Sequence, residues 1–104
     1  MEAMLVITNL PDREQARSLA RKLVDSRLAA CVNILAECES VYVWEGKIET
    51  SLEVPLLIKT LGRHYPEVEA MILQNHPYEL PEVIAVSLSN GLPEYMRWIA
   101  TETL

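Results

Sequence analysis

The chain has 104 residues, of which half are hydrophobic and 23% are charged, so it is long enough for one packed domain and not for two. Its net charge of −6, with no cluster of Lys and Arg in the sequence, argues against the basic surface that nucleic-acid binding requires. The first apolar run, residues 4–7, is far too short for a signal or membrane segment, so we expect a cytoplasmic protein with neither nucleic-acid nor membrane partners.

The beginning of the chain predicts a strand followed by a helix. Residues 3–8 are apolar and rich in β-branched side chains, which is typical of a short buried strand. Asp12 is placed to cap a helix, and Gln15, three residues later, completes a capping box. Apolar residues then recur at helical spacing and predict an amphipathic helix of about four turns. They are Ala16, Leu19, Ala20, Leu23 and Val24.

The middle of the chain predicts a long hairpin. Residues 31–44 form one strand, Glu45-Gly46 forms the turn, and residues 47–60 form the next strand. The apolar residues of the first strand change parity partway along it. We therefore expect one extra residue, a β-bulge or bend, between about residues 36 and 40. Because Pro55 cannot donate to a ladder, its nitrogen is expected to be unpaired or to lie at an irregularity.

The tip of this hairpin carries apolar side chains on both faces. Tyr42 and Trp44 share one face, whereas Val41, Val43 and Ile48 share the other. A strand of about 13 residues spans roughly 43 Å, but a domain of about 100 residues is only roughly 34 Å across. We therefore expect the tip to overhang its own domain and to be covered by another copy of the chain.

The remaining elements complete a β-α-β-β-α-β order with one additional helix. Pro66 opens the second helix, the proline-rich residues 76–82 form a loop, and residues 83–88 form the fourth strand. The terminal helix begins at residues 91–93. This order predicts a single α+β domain over residues 1–104, a ferredoxin-like sandwich in which helices cover one face of an antiparallel sheet.

The sequence carries no catalytic signature. There is no phosphate-binding glycine loop, no C-x-x-C, no H-E-x-x-H and no nucleophile–base pair, so we expect no enzymatic activity. Cys31 and Cys38 on one strand would lie roughly 23 Å apart, too far for a disulfide. His76 beside Glu79 and Glu82 is the best metal candidate, which symmetric copies would complete. The alternative is a loop histidine held by hydrogen bonds at a subunit contact.

Other residues are candidates for an interface or a pocket. Lys59 lies within a hydrophobic strand, where it could bind an anion, pair with a carboxylate or extend to water. Four aromatic residues could line a small-molecule pocket or pack in a core or interface. They are Tyr42, Trp44, Tyr78 and Trp98.

Short sequence segments along nearly the whole chain resemble those of the CutA family, and they occur in the same order and with the same spacing. They are Leu28-Ala29-Ala30-Cys31-Val32-Asn33-Ile34, then Ser40, Tyr42, Trp44 and Gly46, Glu53-Val54, Leu57-Ile58-Lys59-Thr60, His76-Pro77-Tyr78-Glu79, Pro81-Glu82, and Gly91, Tyr95 and Trp98. The resemblance implies a homotrimer similar to the PII signalling proteins, in which hairpins of neighbouring subunits join edge to edge. It also implies a role in tolerance of divalent metals, copper especially, with copper binding and no established enzymatic activity.

The chain departs from some members of that family at two positions. These members carry a cysteine at the end of the first strand and a second histidine before the H-P-Y motif, where this chain has Thr8 and Asn75. A metal site here would therefore rely on His76, the carboxylates and perhaps Cys31 or Cys38.

Three functions follow as alternatives. The first is a metal-response protein that binds Cu²⁺ or another divalent cation. The second is a PII-like regulator that binds a small anionic ligand between subunits, near Lys59 and the H-P-Y loop. The third is a scaffold that anchors another protein.

Overall fold

The computed structural model describes residues 2–104. The elements are β1 (Ala3–Leu10), α1 (Arg13–Asp25), β2 (Cys31–Ile34), β3 (Cys38–Trp44), β4 (Lys47–Leu61), a 3₁₀ turn (Gly62–His64), α2 (Tyr65–Asn75), β5 (Ile84–Ser87) and α3 (Pro93–Thr101). The predicted order of helices and strands is confirmed. The one long strand predicted before the hairpin turn is divided into β2 and β3.

The sheet is antiparallel, with strand order β2-β4-β1-β5, and β3 extends the pairing along β4. Alternate residues of β1 and β4 face α1 and α2 and form the main core. These buried residues include Val6, Leu10, Val54, Leu56, Ile58, Leu19, Leu23, Val68 and Ile72. On the opposite face, Ile99 of α3 packs with Ala3 and Leu61. The sheet therefore has α1 and α2 on one face, as expected, and α3 on the other.

The division between β2 and β3 is a one-residue insertion. Ile34 pairs with Leu56, and Cys38 pairs with Glu53, so four steps on the first strand match three steps on β4. The extra residue therefore lies within residues 35–37. This confirms the predicted bulge, at the near end of the expected interval.

Pro55 lies opposite this insertion, as predicted. Its carbonyl oxygen accepts a hydrogen bond from the Leu35 N–H at 3.0 Å. In a strand, the backbone nitrogen and the carbonyl of one residue point towards the same neighbouring strand. The Pro55 nitrogen therefore also faces the β2–β3 side, where the pairing is interrupted. The missing donor therefore falls where the ladder is already irregular.

The hairpin beyond the insertion, residues 38–53, projects from the domain, and we refer to it as the arm. The chain measures 44 Å along its longest axis and 26 and 24 Å along the others. One face of the arm carries four large apolar side chains that are 57% to 77% exposed. We call these the arm strip: Val41, Val43, Ile48 and Leu52. The overhang predicted from strand length is confirmed.

A second apolar surface lies on the sheet face that carries α3. Ile84 and Val86 of β5 are each 51% exposed. They pair with Ile7 and Leu5 of β1, so all four side chains share this face. Within residues 2–104, α3 covers only the end of this face that lies near Ala3. The sequence pattern did not indicate this surface.

Asp12 caps α1 as predicted. Its Oδ1 accepts from the Gln15 N–H at 2.8 Å, and the Gln15 side chain donates to its Oδ2, also at 2.8 Å. A regular capping box would instead direct the glutamine side chain to the cap's backbone N–H. These hydrogen bonds from Gln15 hold the pKa of the Asp12 carboxyl below its usual value.

Two buried threonines on the core face provide a matched test of stability. Thr60 Oγ1 donates to the Leu28 carbonyl at 2.5 Å, whereas Thr8 Oγ1 has no partner within residues 2–104. We expect Thr8→Val to raise the free energy of unfolding by about 1 kcal/mol, because it removes a buried unpaired hydroxyl. We expect Thr60→Val to lower it by about 1–3 kcal/mol, because Leu28 loses its donor. Chemical denaturation measures both changes, and equal signs would contradict the assignment.

Within residues 2–104, no helix combines the length and the apolar character needed to cross a membrane.

Candidate functional site

His76 lies at the C-terminal end of α2, near the base of the arm. Its Nε2 contacts the Asn9 carbonyl oxygen at 2.6 Å, and its Nδ1 accepts from the Tyr78 N–H at 3.2 Å. Because Nδ1 accepts a hydrogen bond, the proton of the neutral ring is on Nε2, which donates to Asn9. Both ring nitrogens therefore have partners inside the chain.

Glu82 and His76 share Asn9 as a hydrogen-bond partner, Glu82 at its side-chain amide and His76 at its backbone carbonyl. The Asn9 Nδ2 donates to Glu82 Oε1 at 3.0 Å. Glu79 is exposed in the same loop. In the described part of the chain, no three or more His, Cys, Asp or Glu side chains come close enough to hold a metal ion. One chain therefore brings His76 and Glu82 together without completing a metal site.

Tyr78 connects this pair to a buried carboxylate. Its ring centroid lies 4.7 Å from that of His76. Burial, and then the negative charge of nearby Glu53, raise the pKa of Tyr78 to about 12. Glu53 is only 8% exposed and is the first β4 residue paired beyond the insertion, opposite Cys38. We call this group the base cluster: Asn9, Glu53, His76, Tyr78 and Glu82.

Sequence reasoning missed two members of the base cluster. The strand predicted over residues 3–8 stopped before Asn9, and no pattern in the sequence indicates that Asn9 bonds two distant side chains. Glu53 belongs to the segment Glu53-Val54, which carries part of the family resemblance. Its burial could not be predicted, because it depends on the proximity of Tyr78, which is distant along the chain.

The candidate pocket residues divide into two groups. Tyr42 lies near Tyr78, whose pKa its phenol also helps to raise, and Trp44 follows on the same face at the arm tip. At the other end of the sheet, Lys59 Nζ donates to Tyr95 Oη at 3.4 Å. The Tyr95 and Trp98 ring centroids are 5.4 Å apart.

These groups are separated along the sheet. Pro55, which pairs with Asn9, is four residues from Lys59 on β4, a separation of roughly 13 Å. Lys59 and the H-P-Y loop of the same chain therefore do not line one compact pocket. The anion site near them was predicted between subunits, and it stays a prediction.

Thr8 and Asn75, the two positions at which the chain departs from some members of the family that it resembles, lie outside the base cluster. Thr8 is fully buried. Asn75 accepts from Lys22 Nζ at 2.6 Å and donates to the Met71 carbonyl at 2.8 Å. Cys31 and Cys38 are free, half-buried thiols, and Cys38 faces Glu53 across the hairpin.

Alkaline titration should detect the environment of Tyr78. We expect one phenol to ionise near pH 12 in the ultraviolet absorbance titration and to be missing from Tyr78→Phe. Its pKa is raised above the ordinary 10.0, so its contribution to stability is complete below pH 10 and is lost as the pH rises towards 12. Glu53→Gln should move this ionisation partway back towards 10. An unchanged titration in Glu53→Gln would contradict the proximity of the two groups.

Comparison with known sequences identifies relatives over the full domain. A sequence model described as CutA1 divalent ion tolerance protein matches residues 4–102. The divalent-cation tolerance protein CutA of Thermus thermophilus is 39% identical over 103 residues, which is 99% of each chain. Protein CutA of Mus musculus is 42% identical over 89 residues, covering 86% of this chain and 50% of the mouse protein.

Solved structures show the same architecture. CutA from Xylella fastidiosa superposes with a TM-score of 0.94 at 47% identity, covering 98% of each chain. CutA1 from Oryza sativa gives a TM-score of 0.97 at 36% identity, covering 100% of this chain and 95% of that one. The α+β arrangement of an antiparallel sheet with three helices is therefore shared with these proteins.

Proposed function

Because the chain belongs to the CutA1 divalent ion tolerance family, we propose that it is a non-enzymatic homotrimer that binds Cu²⁺ or another divalent cation at its subunit contacts. The observation that carries this proposal is the base cluster. There His76 and Glu82 meet at Asn9, beside a buried carboxylate and at the root of an arm built to contact a neighbour.

The orientation of His76 suits a metal ligand. Histidines that bind metals usually donate their other ring N–H to a carbonyl or carboxylate, which fixes the ring and its tautomer. Here Nε2 donates to the Asn9 carbonyl at 2.6 Å, and Nδ1 keeps the lone pair. That lone pair is engaged only by the longer 3.2 Å bond from Tyr78, which a metal would replace. Glu82 and Glu79 would supply oxygen ligands from the same loop.

A shared site follows from the number of ligands. Copper and zinc sites take three or four nitrogen, sulfur or oxygen ligands, and residues 2–104 of one chain do not assemble three. Rotational symmetry multiplies each ligand at a subunit contact. We therefore propose that His76 and the loop carboxylates of one chain are completed by a neighbouring copy.

Two exposed apolar surfaces support the trimer. The arm strip and the β5 face would both be costly to leave in water. Both outer edges of the sheet, β5 and the β2–β3 side, also lack a strand partner within the described residues. We propose a PII-like ring of ferredoxin-like domains, one per chain over residues 1–104, with each arm laid on a neighbour. The β-α-β-β-α-β order with sheet order β2-β4-β1-β5 supports the ferredoxin-like assignment.

Isothermal titration with Cu²⁺ and Zn²⁺ tests this function. We expect saturable heat from the native protein and affinity at least about tenfold weaker in His76→Ala, since a lost ligand costs about 1.4 kcal/mol or more. Glu82→Gln should weaken binding as well. Glu67→Gln, on the exposed first turn of α2, is the matched control and should bind normally. Unchanged heats in His76→Ala would exclude this histidine as a ligand.

A second candidate function rests on the cluster of Lys59, Tyr95 and Trp98. The Lys59 ammonium lies 5.6 Å from the Tyr95 ring centroid, beside an exposed aromatic pair. A cation next to exposed rings suits a planar anionic ligand held between subunits, as in a PII-like regulator. A thermal-shift screen of nucleotides tests it, since binding to the native state raises the melting temperature. The shift should disappear in Lys59→Ala.

A further inference from the structure

Asn9 contacts both candidate metal ligands of the base cluster, and it uses a different polar group for each. Its backbone carbonyl oxygen lies 2.6 Å from His76 Nε2, and its side-chain Nδ2 donates to Glu82 Oε1 at 3.0 Å. The two ligands stand at opposite ends of the proline-rich loop over residues 76–82. Asn9, on β1, is therefore the residue that sets the imidazole and the carboxylate relative to each other.

The Asn9 carbonyl is available to His76 because β5 ends before it. The Ala3 carbonyl accepts a hydrogen bond from the chain just after β5, and alternate residues of a strand point their backbone groups the same way. The Asn9 carbonyl therefore also points to the β5 side. The pairing of β1 with β5 ends at Ile7. Within residues 2–104, His76 thus takes the place of a strand partner, and its bond does not depend on the Asn9 side chain.

The Asn9 side chain holds one oxygen of the Glu82 carboxylate. An amide nitrogen donates and an ionised carboxylate accepts, so the bond at Oε1 has a fixed direction. Oε2 has no hydrogen-bond partner in the described part of the chain. Glu82 is exposed, and a glutamate without this bond would lose more side-chain freedom on binding an ion. The carboxylate is therefore held in advance, with one oxygen free.

We propose that Asn9 is the positioning residue of the metal site, because its amide holds Glu82 so that only Oε2 joins His76 Nδ1 on the ion. This inference rests on the proposed metal function. One imidazole nitrogen and one carboxylate oxygen from each chain favour Cu²⁺ or Zn²⁺. Ca²⁺ takes about 6–8 oxygen ligands and often both oxygens of a carboxylate, so the arrangement disfavours Ca²⁺.

Isothermal titration of the full chain with Zn²⁺ tests this role. We expect Asn9→Ala to bind about tenfold or more weakly than the native protein, the usual effect of losing a group that orients a ligand. Asn90→Ala, in the exposed loop between β5 and α3, is the matched control and should bind normally. In the Glu82→Gln background, Asn9→Ala should weaken binding little further, because the amide acts only through this carboxylate.

Difference infrared spectra add a signature of the positioning itself. The carboxylate stretching bands distinguish coordination through one oxygen from coordination through two. The Glu82 band is the one that disappears in Glu82→Gln. We expect it to indicate one oxygen in the native protein and to move towards the two-oxygen position in Asn9→Ala. A residue that only stabilised the fold would leave this band in place.

The outcomes separate this inference from the proposed function. Native affinity in Asn9→Ala, an equal loss with and without Glu82→Gln, or a two-oxygen band in the native protein would overturn the role of Asn9 alone. No saturable heat from the native protein would overturn the metal function as well. If Asn9→Ala fails to fold, Asn9→Leu keeps much of the side chain's size without its donor. Unchanged affinity in Asn9→Leu would then overturn the proposal.

Discussion

Val43→Glu is expected to convert the proposed trimer into single chains of 11.8 kDa, about a third of the trimer's mass. Val43 lies in the arm strip and is 70% exposed in the single chain, so a glutamate there costs the isolated domain little. In the proposed trimer the same position is covered by a neighbour. Burying an unpaired carboxylate there costs several kilocalories per mole at each of three contacts. Light scattering during size-exclusion chromatography measures the mass directly.

The control for this experiment is Leu73→Glu. Leu73 is also an exposed aliphatic residue, 53% accessible, but it lies on α2, away from the arm. It should keep the native mass. A native protein of 11.8 kDa, or a Val43→Glu variant that keeps the native mass, would contradict the covered arm. Loss of assembly in both variants would mean that any added charge has this effect.

The long hairpin shows which features of the fold a local sequence pattern can predict. Strand period and the two-residue turn were sufficient to predict the arm, its two faces and its overhang. The parity change between Ile34 and Val41 was sufficient to predict an inserted residue, because one face of a sheet must stay apolar. Pro55 is compatible with this insertion, since the nitrogen of a proline in a strand must be unpaired or lie at an irregularity. Each of these inferences uses neighbours along the chain or across one turn.

The base cluster shows which features a local sequence pattern cannot predict, namely contacts between residues far apart in the sequence. Asn9 and His76 are 67 residues apart, and only tertiary packing brings the end of β1 beside the end of α2. The burial of Glu53 has the same origin, because an acidic residue at an alternating strand position is usually exposed to solvent. The position of α3 on the second face was also undetermined. Its apolar residues predict that one side is buried, but not against which face of the sheet.

The insertion links the fold to the candidate site. It brings Cys38 opposite Glu53 and so places Tyr42 and Trp44 on the same side as that carboxylate. The base cluster therefore lies where the arm leaves the domain, on the face opposite the arm strip, which it shares with the exposed β5 surface. If arms bind neighbours, metal binding at His76 and subunit assembly should depend on each other, because the ligands of one site come from more than one chain.

Leu56→Ala and Leu52→Ala should separate the domain's own stability from that of the assembly. Both leucines lie on the same face of β4, four residues apart, but Leu56 is fully buried in the core and Leu52 is 57% exposed in the arm strip. We expect Leu56→Ala to lower the free energy of unfolding by about 2–5 kcal/mol, since it leaves a cavity between β4 and the helices. Thermal unfolding followed by circular dichroism measures this loss.

The effect of Leu52→Ala should depend on protein concentration. If a neighbouring chain covers Leu52, the substitution weakens association, so the melting temperature should fall most in dilute samples. The loss in Leu56→Ala acts within each chain and should persist at every concentration. A Leu52→Ala variant that melts like the native protein at all concentrations would show that the arm strip is not covered. The two leucines thus test whether β4 serves its own domain at one end and a neighbouring subunit at the other.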